Sequence, residues 1–173
     1  MHSAITVCPL LRVCVTVEHG TQLWVNDHWR IAVAAGAYGV HVGQEDLAAM
    51  GSAALHELAR SGTRLGISTH SYAELATALA VNPSYISLGP IYATDSKDVS
   101  RWEPQGLDRI AHWRSLLPDG MPLVAIGGIS LERAPGVLSA GADGIAVISA
   151  ITKAQDRQQA IGEWVAQWGA GAG

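Results

Sequence analysis

The segment 85–106 carries the residue types best suited to bind a phosphate group. Residues 85–88 read as a buried strand, and Gly89-Pro90 ends it, because proline cannot donate a hydrogen bond to a sheet. In the polar loop that follows, Lys97 could place a compact positive charge on a phosphate, beside the side chains of Thr94, Asp95 and Ser96. The same residue types are common in ordinary solvated loops, so the loop alone leaves both interpretations open.

Two later strand ends predict a second phosphate-binding element. Gly127-Gly128 precedes one predicted helix and Ser149 precedes the next, which would place backbone N–H groups and helix N-termini at neighbouring strand ends. The simpler alternative is that the two glycines only form a tight turn. Their pairing with Ser149 favours phosphate binding.

Two aspartates could hold a divalent cation. Asp27 and Asp46 end successive predicted strands, and two carboxylates across a small gap suit a hard ion such as Mg2+, which can also bind a diphosphate. Helix capping is the alternative for both, and for Asp46 it is a serious one. His41 lies inside an apolar strand and is expected to be a satisfied core residue, whereas His70 could begin a helix or act as an acid or base.

Strands and helices alternate along the predicted chain. Strands are predicted over residues 23–27, 39–42, 64–68, 85–88, 122–126 and 144–148, and helices over residues 29–35, 46–60, 71–81, 105–116, 131–140 and 151–168. Residues 11–17 fit either a strand or a helix. This alternation implies a parallel sheet, in a TIM-type barrel or a doubly wound sheet. The barrel is preferred because polar residues follow the strands at their C-terminal ends.

Length and composition limit the classes of protein. With 173 residues, 49% of them apolar, the chain can build one hydrophobic core, so a single domain is expected. A net charge of −4 without a basic run argues against nucleic acid as a partner. No membrane-spanning apolar run or signal peptide is recognisable, and Cys8 and Cys14 lack a metal-ligand pattern, so a cytoplasmic, non-membrane protein is expected.

Motifs in a consistent order carry a family resemblance. They are Val-Asn-Asp (25–27), Gly-Val-His-Val-Gly-Gln-Glu-Asp (39–46), Gly-Ile-Ser-Thr-His-Ser (66–71), Gly-Pro-Ile-Tyr-Ala-Thr-Asp-Ser-Lys (89–97), Gln-Gly (105–106), Ala-Ile-Gly-Gly-Ile (125–129) and Ala-Gly-Ala-Asp-Gly-Ile-Ala-Val-Ile-Ser (140–149). Over residues 23–151 the chain resembles thiamine phosphate synthase. The resemblance implies a (βα)8 transferase that uses Mg2+ to join hydroxymethylpyrimidine diphosphate to hydroxyethylthiazole phosphate, releasing diphosphate.

The resemblance also implies roles for individual residues. Asp27 and Asp46 correspond to Mg2+ ligands. Contacts to the pyrimidine diphosphate correspond to Asn26, Ser68 and Lys97, of which Lys97 and Ser68 are the expected catalytic residues. The thiazole phosphate site corresponds to Thr94, Asp95, Ser96, Gly128, Ile148 and Ser149.

The chain departs from the family at its start. Residues 1–20 form a divergent N-terminal segment within a single synthase-like domain over residues 1–173, and nothing matches the family strand that carries Gln-x-Arg-x-Lys, so an N-terminally incomplete barrel of about six βα units is expected. His28 and Ser96 stand where the family usually has arginine and threonine. A thiazole tautomerase-like enzyme and a non-catalytic phosphate-binding remnant are the alternative functions. A homo-oligomer and completion by another chain both stay open.

Overall fold

The computed structural model describes Glu18, residues 20–94 and residues 102–168. The ambiguous segment 11–17 and the predicted site residues Asp95, Ser96 and Lys97 lie outside the described residues. The chain divides into two compact units, Met1–Ile86 and Ser87–Gly173, and the boundary falls inside a strand. No helix in the described ranges combines the length and apolar character needed to cross a membrane.

Strands and helices alternate in the first unit. Their order is β1 (Trp24–Asn26), α1 (Trp29–Ala35), β2 (Gly39–Val42), α2 (Gln44–Ser61), β3 (Arg64–Thr69), α3 (Tyr72–Leu79) and the first half of β4 (Tyr85–Leu88). β2 pairs in parallel with β1 and β3, so that Val40 lies opposite both Val25 and Leu65. The side chains of Val40, Val42, Ile67 and Ile86 are fully buried, as expected for parallel strands covered on both faces.

Glycine and serine limit the helices of this unit, as the sequence predicts. Gly36 and Gly62 end α1 and α2 with left-handed φ angles of 65° and 76°, a conformation that glycine adopts without strain. Ser71 caps α3, because its hydroxyl oxygen accepts a hydrogen bond from the Glu74 backbone N–H at 3.3 Å. α2 begins at Gln44 rather than at the predicted residue 46, and its helical geometry is interrupted at Gly51, where φ is 67°.

The second unit continues the alternation. It contains the second half of β4, then α4 (Gly106–Leu116), β5 (Leu123–Ile126), α5 (Ala134–Ser139), β6 (Gly144–Ala146), α6 (Ser149–Thr152) and α7 (Arg157–Trp168). β5 and β6 are parallel, and Ile126 lies opposite Ala146. The core of this unit consists of fully buried apolar side chains, among them Leu88, Ile110, Trp113, Leu123 and Val137.

Two helices predicted in this unit are shorter than expected. The helix predicted over residues 131–140 is reduced to α5, which carries Pro135 in its first turn, where a proline is tolerated. The helix predicted over residues 151–168 is divided into α6 and α7. Asp156 gives α7 its own N-terminus, because its side chain accepts a hydrogen bond from the Gln159 backbone N–H at 2.9 Å.

The predicted α/β class with parallel strands is confirmed. Six strands lie in the described part of the chain, and parallel pairing occurs in both units. The closed eight-stranded barrel stays a prediction, and so does the single domain over residues 1–173.

We expect Gly39→Ala to destabilise the protein by overpacking. A Cβ at this buried position would lie 2.9 Å from Cδ2 of Trp24 and closer still to two other ring atoms. The Trp24 ring cannot easily move, because it packs edge-on against Tyr38 and Tyr85, with ring centroids 5.6 and 4.8 Å away. The expected loss in the free energy of unfolding is about 1–3 kcal/mol, measured by urea denaturation.

Gly144→Ala is the matched control for this test. Gly144 also lies in a parallel strand, but a Cβ there would meet Cγ2 of Val124 at 3.7 Å, an ordinary contact. Its free energy of unfolding should change by less than about 0.5 kcal/mol, or rise slightly, since alanine restricts the unfolded chain. Equal losses in both variants would contradict the steric explanation.

Candidate functional site

Two carboxylates of the first unit line one cavity. Asp27 follows β1, and Asp46 lies in the first turn of α2, directly after β2. Both are half-buried and border a cavity of about 290 Å³, together with residues 28–31, 49 and 50. The structure therefore brings the two predicted metal ligands to the same opening.

Neither aspartate occupies the N-cap position of a helix. The N-cap residue of α1 is His28 and that of α2 is Gly43, and neither makes a side-chain capping hydrogen bond. Asp27 has a left-handed φ of 63°, which aspartate tolerates better than most residues. Asn26, the neighbouring predicted site residue, donates a hydrogen bond from Nδ2 to Oδ2 of Asp27 at 2.6 Å. The N-cap positions of α1 and α2 are therefore occupied by residues other than the two aspartates.

Ser68 belongs to a hydrogen-bonded chain across β2, β3 and β4. Its Oγ lies 2.7 Å from Nε2 of His41, and Nδ1 of the same imidazole lies 2.7 Å from the hydroxyl oxygen of Tyr85. The Ser68 carbonyl accepts a hydrogen bond from Nε2 of Gln44 at 2.7 Å. Burial raises the pKa of Tyr85 to about 12, because it disfavours the phenolate anion. The prediction that His41 is satisfied inside the sheet is confirmed.

His70 directly precedes Ser71, the N-cap residue of α3, and is bonded to that helix. Its Nδ1 lies 2.9 Å from Oε2 of Glu74, one turn further along the chain. Its backbone N–H donates to the same oxygen at 2.7 Å. Of the two roles left open by the sequence, this geometry favours the structural one.

In the second unit, Gly127 and Gly128 form a turn that only glycine can occupy without strain. Their φ angles are 99° and 65°. A Cβ on Gly127 would lie 2.7 Å from Cα of Pro90, and one on Gly128 would lie 2.6 Å from the carbonyl oxygen of Ala93. Arg133 donates a hydrogen bond from Nη1 to the Gly128 carbonyl at 2.7 Å and stacks over the ring of Tyr92 at 4.5 Å. The chain after β4 therefore packs directly on this turn.

The remaining predicted residues of this unit lie at the same strand ends. Because Ile126 and Ala146 are paired in parallel, the residues that follow them, Gly128 on one side and Ile148 and Ser149 on the other, leave the sheet at the same edge. Ser149 begins α6, which has only four residues, so any phosphate bound there would rely on individual backbone N–H groups. Thr94 is half-buried and follows the Tyr92-Ala93 contact with the glycine turn.

Each unit therefore holds one part of the predicted site. Asn26, Asp27, Asp46 and Ser68 lie in the first unit, and Thr94, Gly128, Ile148 and Ser149 lie in the second. The predicted catalytic residue Lys97 lies outside the described residues. Sequence reasoning missed the contacts that Tyr85 and Gln44 make with His41 and Ser68.

Comparison with known proteins decides the family. Residues 7–151 match the family model described as thiamine monophosphate synthase. The chain belongs to this family.

Named members of the thiamine monophosphate synthase family are closely similar. The thiamine-phosphate synthase of Rhizobium etli is 48% identical over 145 residues, which cover 84% of this chain and 69% of the relative. That of Neisseria meningitidis serogroup A is 47% identical over 157 residues, which cover 90% of this chain and 74% of the relative. These comparisons confirm the predicted family, whose named members are transferases.

Solved structures give the same result. Thiamine phosphate pyrophosphorylase from Pyrococcus furiosus matches with a TM-score of 0.77 at 30% identity, covering 95% of this chain and 76% of that chain. The native KDPGal structure matches with a TM-score of 0.72, covering 97% of this chain and 78% of that chain, but at 15% identity it shows the shared fold alone.

We expect Gly128→Ala to destabilise the protein more than Gly120→Ala. Both glycines have left-handed φ angles, 65° and 77°, so alanine should cost about 1–2 kcal/mol at either position. A Cβ at Gly128 would also overlap the Ala93 carbonyl, whereas a Cβ at Gly120 would meet nothing within 4 Å. Overlap should add about 1–3 kcal/mol at Gly128, measured by urea denaturation. Equal losses at the two positions would mean that the turn can move away from the chain after β4.

Proposed function

We propose that this chain catalyses the reaction named for its relatives, thiamine phosphate synthesis. In this reaction the ring nitrogen of a thiazole phosphate forms a bond to the methylene carbon of a pyrimidine diphosphate. The bond from that carbon to the diphosphate oxygen breaks, and its electron pair leaves with the diphosphate. The observation that carries the proposal for this chain is the cavity shared by Asp27 and Asp46, in a protein that belongs to the synthase family.

The chemistry of the cavity fits Mg2+ as the cofactor. No group of three His, Cys, Asp or Glu side chains that could hold a metal ion occurs among the described residues. Two carboxylates are nevertheless enough for Mg2+, which keeps several waters and binds substrate phosphates in place of further protein ligands. Asp27 and Asp46 would hold the ion, which when bound neutralises charge on the diphosphate.

The remaining predicted residues divide between the two substrates. Asn26, Ser68 and Lys97 bind the pyrimidine diphosphate in this proposal, and the ammonium group of Lys97 stabilises the negative charge that grows on the leaving diphosphate. The thiazole phosphate is bound by Thr94, Asp95, Ser96, Gly128, Ile148 and Ser149. The turn at Gly128 supports this assignment, because it packs against Tyr92 and Ala93, which directly precede Thr94. The (βα)8 form of the sheet is part of the same proposal.

We expect Asp27→Asn and Asp46→Asn each to weaken Mg2+ binding by at least about tenfold, because each removes one charged ligand. The measurement is isothermal titration calorimetry with diphosphate present. Asp108→Asn is the matched control, since Asp108 also lies in the first turn of a helix but outside the cavity. An Mg2+ affinity that is unchanged in both cavity variants would refute the metal assignment.

Synthase activity itself tests the function. The chain is incubated with both substrates and Mg2+, and thiamine phosphate and diphosphate are quantified. We expect Lys97→Ala to lower kcat by about 100- to 1,000-fold, as removal of a charge-stabilising donor does in other enzymes. Lys153→Ala, which alters the other lysine of the chain, should leave kcat unchanged. Absence of both products with the unaltered chain would refute the proposed function.

A further inference from the structure

The side chains of Tyr85, His41 and Ser68 lie on three strands of the first unit and are joined by two hydrogen bonds. The donor–acceptor distance is 2.7 Å in both hydrogen bonds, well within the range of good hydrogen bonds. The ring planes of His41 and Tyr85 are nearly parallel, at 15° to one another, and the ring centroids are 5.6 Å apart. This geometry fixes the imidazole between two hydroxyl groups.

Gly66 makes the contact between Tyr85 and His41 possible. In the sheet Gly66 lies opposite His41. A Cβ on Gly66 would lie 2.7 Å from the hydroxyl oxygen of Tyr85 and closer still to its ring. The Tyr85 ring therefore occupies the space above β3 that any other residue would fill, and Trp24 packs edge-on against its side at 4.8 Å.

The direction of the hydrogen bonds follows from acidity. A neutral imidazole has one donor and one acceptor nitrogen, so one hydroxyl must donate to it and the other must accept from it. A phenol is far more acidic than the hydroxyl of serine and is the stronger donor. It also keeps its proton at neutral pH, since the ordinary pKa of tyrosine is about 10 and burial raises the pKa of Tyr85 further, to about 12. Acidity therefore favours the orientation in which the Tyr85 hydroxyl donates to Nδ1 and the Nε2–H of His41 donates to Ser68.

This direction leaves the hydroxyl hydrogen of Ser68 for a ligand. In this orientation the Ser68 Oγ accepts from His41 Nε2, 2.7 Å away, so the hydrogen of Ser68 is not used in that bond. The backbone of Ser68 is also fixed, because Gln44 donates to its carbonyl at 2.7 Å. Ser68 is half-buried near the C-terminal end of β3, the end at which parallel α/β folds bind ligands.

We propose that Tyr85 and His41 are positioning residues that hold the Ser68 hydroxyl as a hydrogen-bond donor to the substrate. The acceptor is a nitrogen or oxygen atom of the pyrimidine diphosphate, so this inference rests on the proposed synthase function. In the opposite orientation the Ser68 hydroxyl would donate its hydrogen to His41, and Ser68 could only accept a hydrogen bond from the substrate. The two orientations therefore differ in what Ser68 offers to the substrate.

The test is a double-mutant cycle with Tyr85→Phe and Ser68→Ala in the full chain. Tyr85→Phe removes only the phenol oxygen and keeps the ring above Gly66. We expect it to lower kcat/KM about tenfold, the value of roughly one hydrogen bond, and to have little further effect when Ser68 is already alanine. Tyr38→Phe is the matched control, because Tyr38 packs against the same Trp24 ring at 5.6 Å. It should leave kcat/KM unchanged.

Nitrogen-15 NMR of the His41 ring gives a readout that does not depend on activity. The expected result is a proton on Nε2 in the unaltered chain and a change in tautomer in Tyr85→Phe. His41→Gln, which can still donate an N–H to Ser68, should retain more activity than His41→Leu. Circular dichroism and Tm confirm that each variant is folded.

Three results would overturn the proposal while product still forms. They are a proton on Nδ1 in the unaltered chain, additive effects of Tyr85→Phe and Ser68→Ala, and equal losses in the Tyr85→Phe and Tyr38→Phe variants. A complete absence of product from the unaltered chain would instead refute the synthase function.

Discussion

Burial of the strands on both faces is the constraint on which the rest of the structure depends. Val40, Val42, Ile67 and Ile86 have no exposed surface, so a polar side chain within these strands must find a partner inside the sheet. Side chains that bind a ligand can emerge only where a strand ends. Asp27 follows this rule in the first unit, and the residues after β5 and β6 follow it in the second. The positions of the site residues are thus a consequence of how the core is built.

The glycines of this chain allow close packing between elements as well as tight turns. Gly39 and Gly66 lie in strands, and each leaves room for the ring of a neighbouring aromatic residue, Trp24 or Tyr85. Gly128 leaves room for backbone instead, because the residues after β4 pack directly against it. A side chain at any of these positions would displace an element that carries part of the candidate site. Fold and site therefore share the same steric requirements.

Local signals made much of the fold predictable. Gly36, Gly62 and Ser71 set helix limits through the backbone and capping preferences of their own residue types, so the sequence alone predicts them. The break between α6 and α7 was missed, although Asp156 followed by Gln159 is a capping signal. Residues 152–159 contain no glycine or proline that would mark the break more strongly. α2 begins without a side-chain cap, so nothing in the sequence marks its first residue.

The sequence predicts at which strand ends the candidate site residues lie, but not which side chains they contact. The polar residues after each strand indicate which side chains share an edge, since parallel strands end together. They do not indicate that Tyr85 reaches His41 across 44 residues of chain, because that contact depends on the absence of a side chain at Gly66. The apolar surroundings of His41 correctly predicted that its ring would be satisfied. Only the structure identifies the hydroxyl groups that satisfy it.

The hydrogen bonds of His41 also explain why a neutral side chain suits position 68 in β3. A half-buried imidazole that lost a partner would be destabilised by about 1–3 kcal/mol, so Tyr85 and Ser68 stabilise the fold whether or not a ligand is present. A charged donor at Ser68 would need a counterion or lose its hydration. A hydroxyl needs neither. In the orientation proposed above, the oxygen of Ser68 accepts from His41 while its hydrogen can be donated to a ligand, so one serine would both complete the buried network and offer a donor near the end of β3.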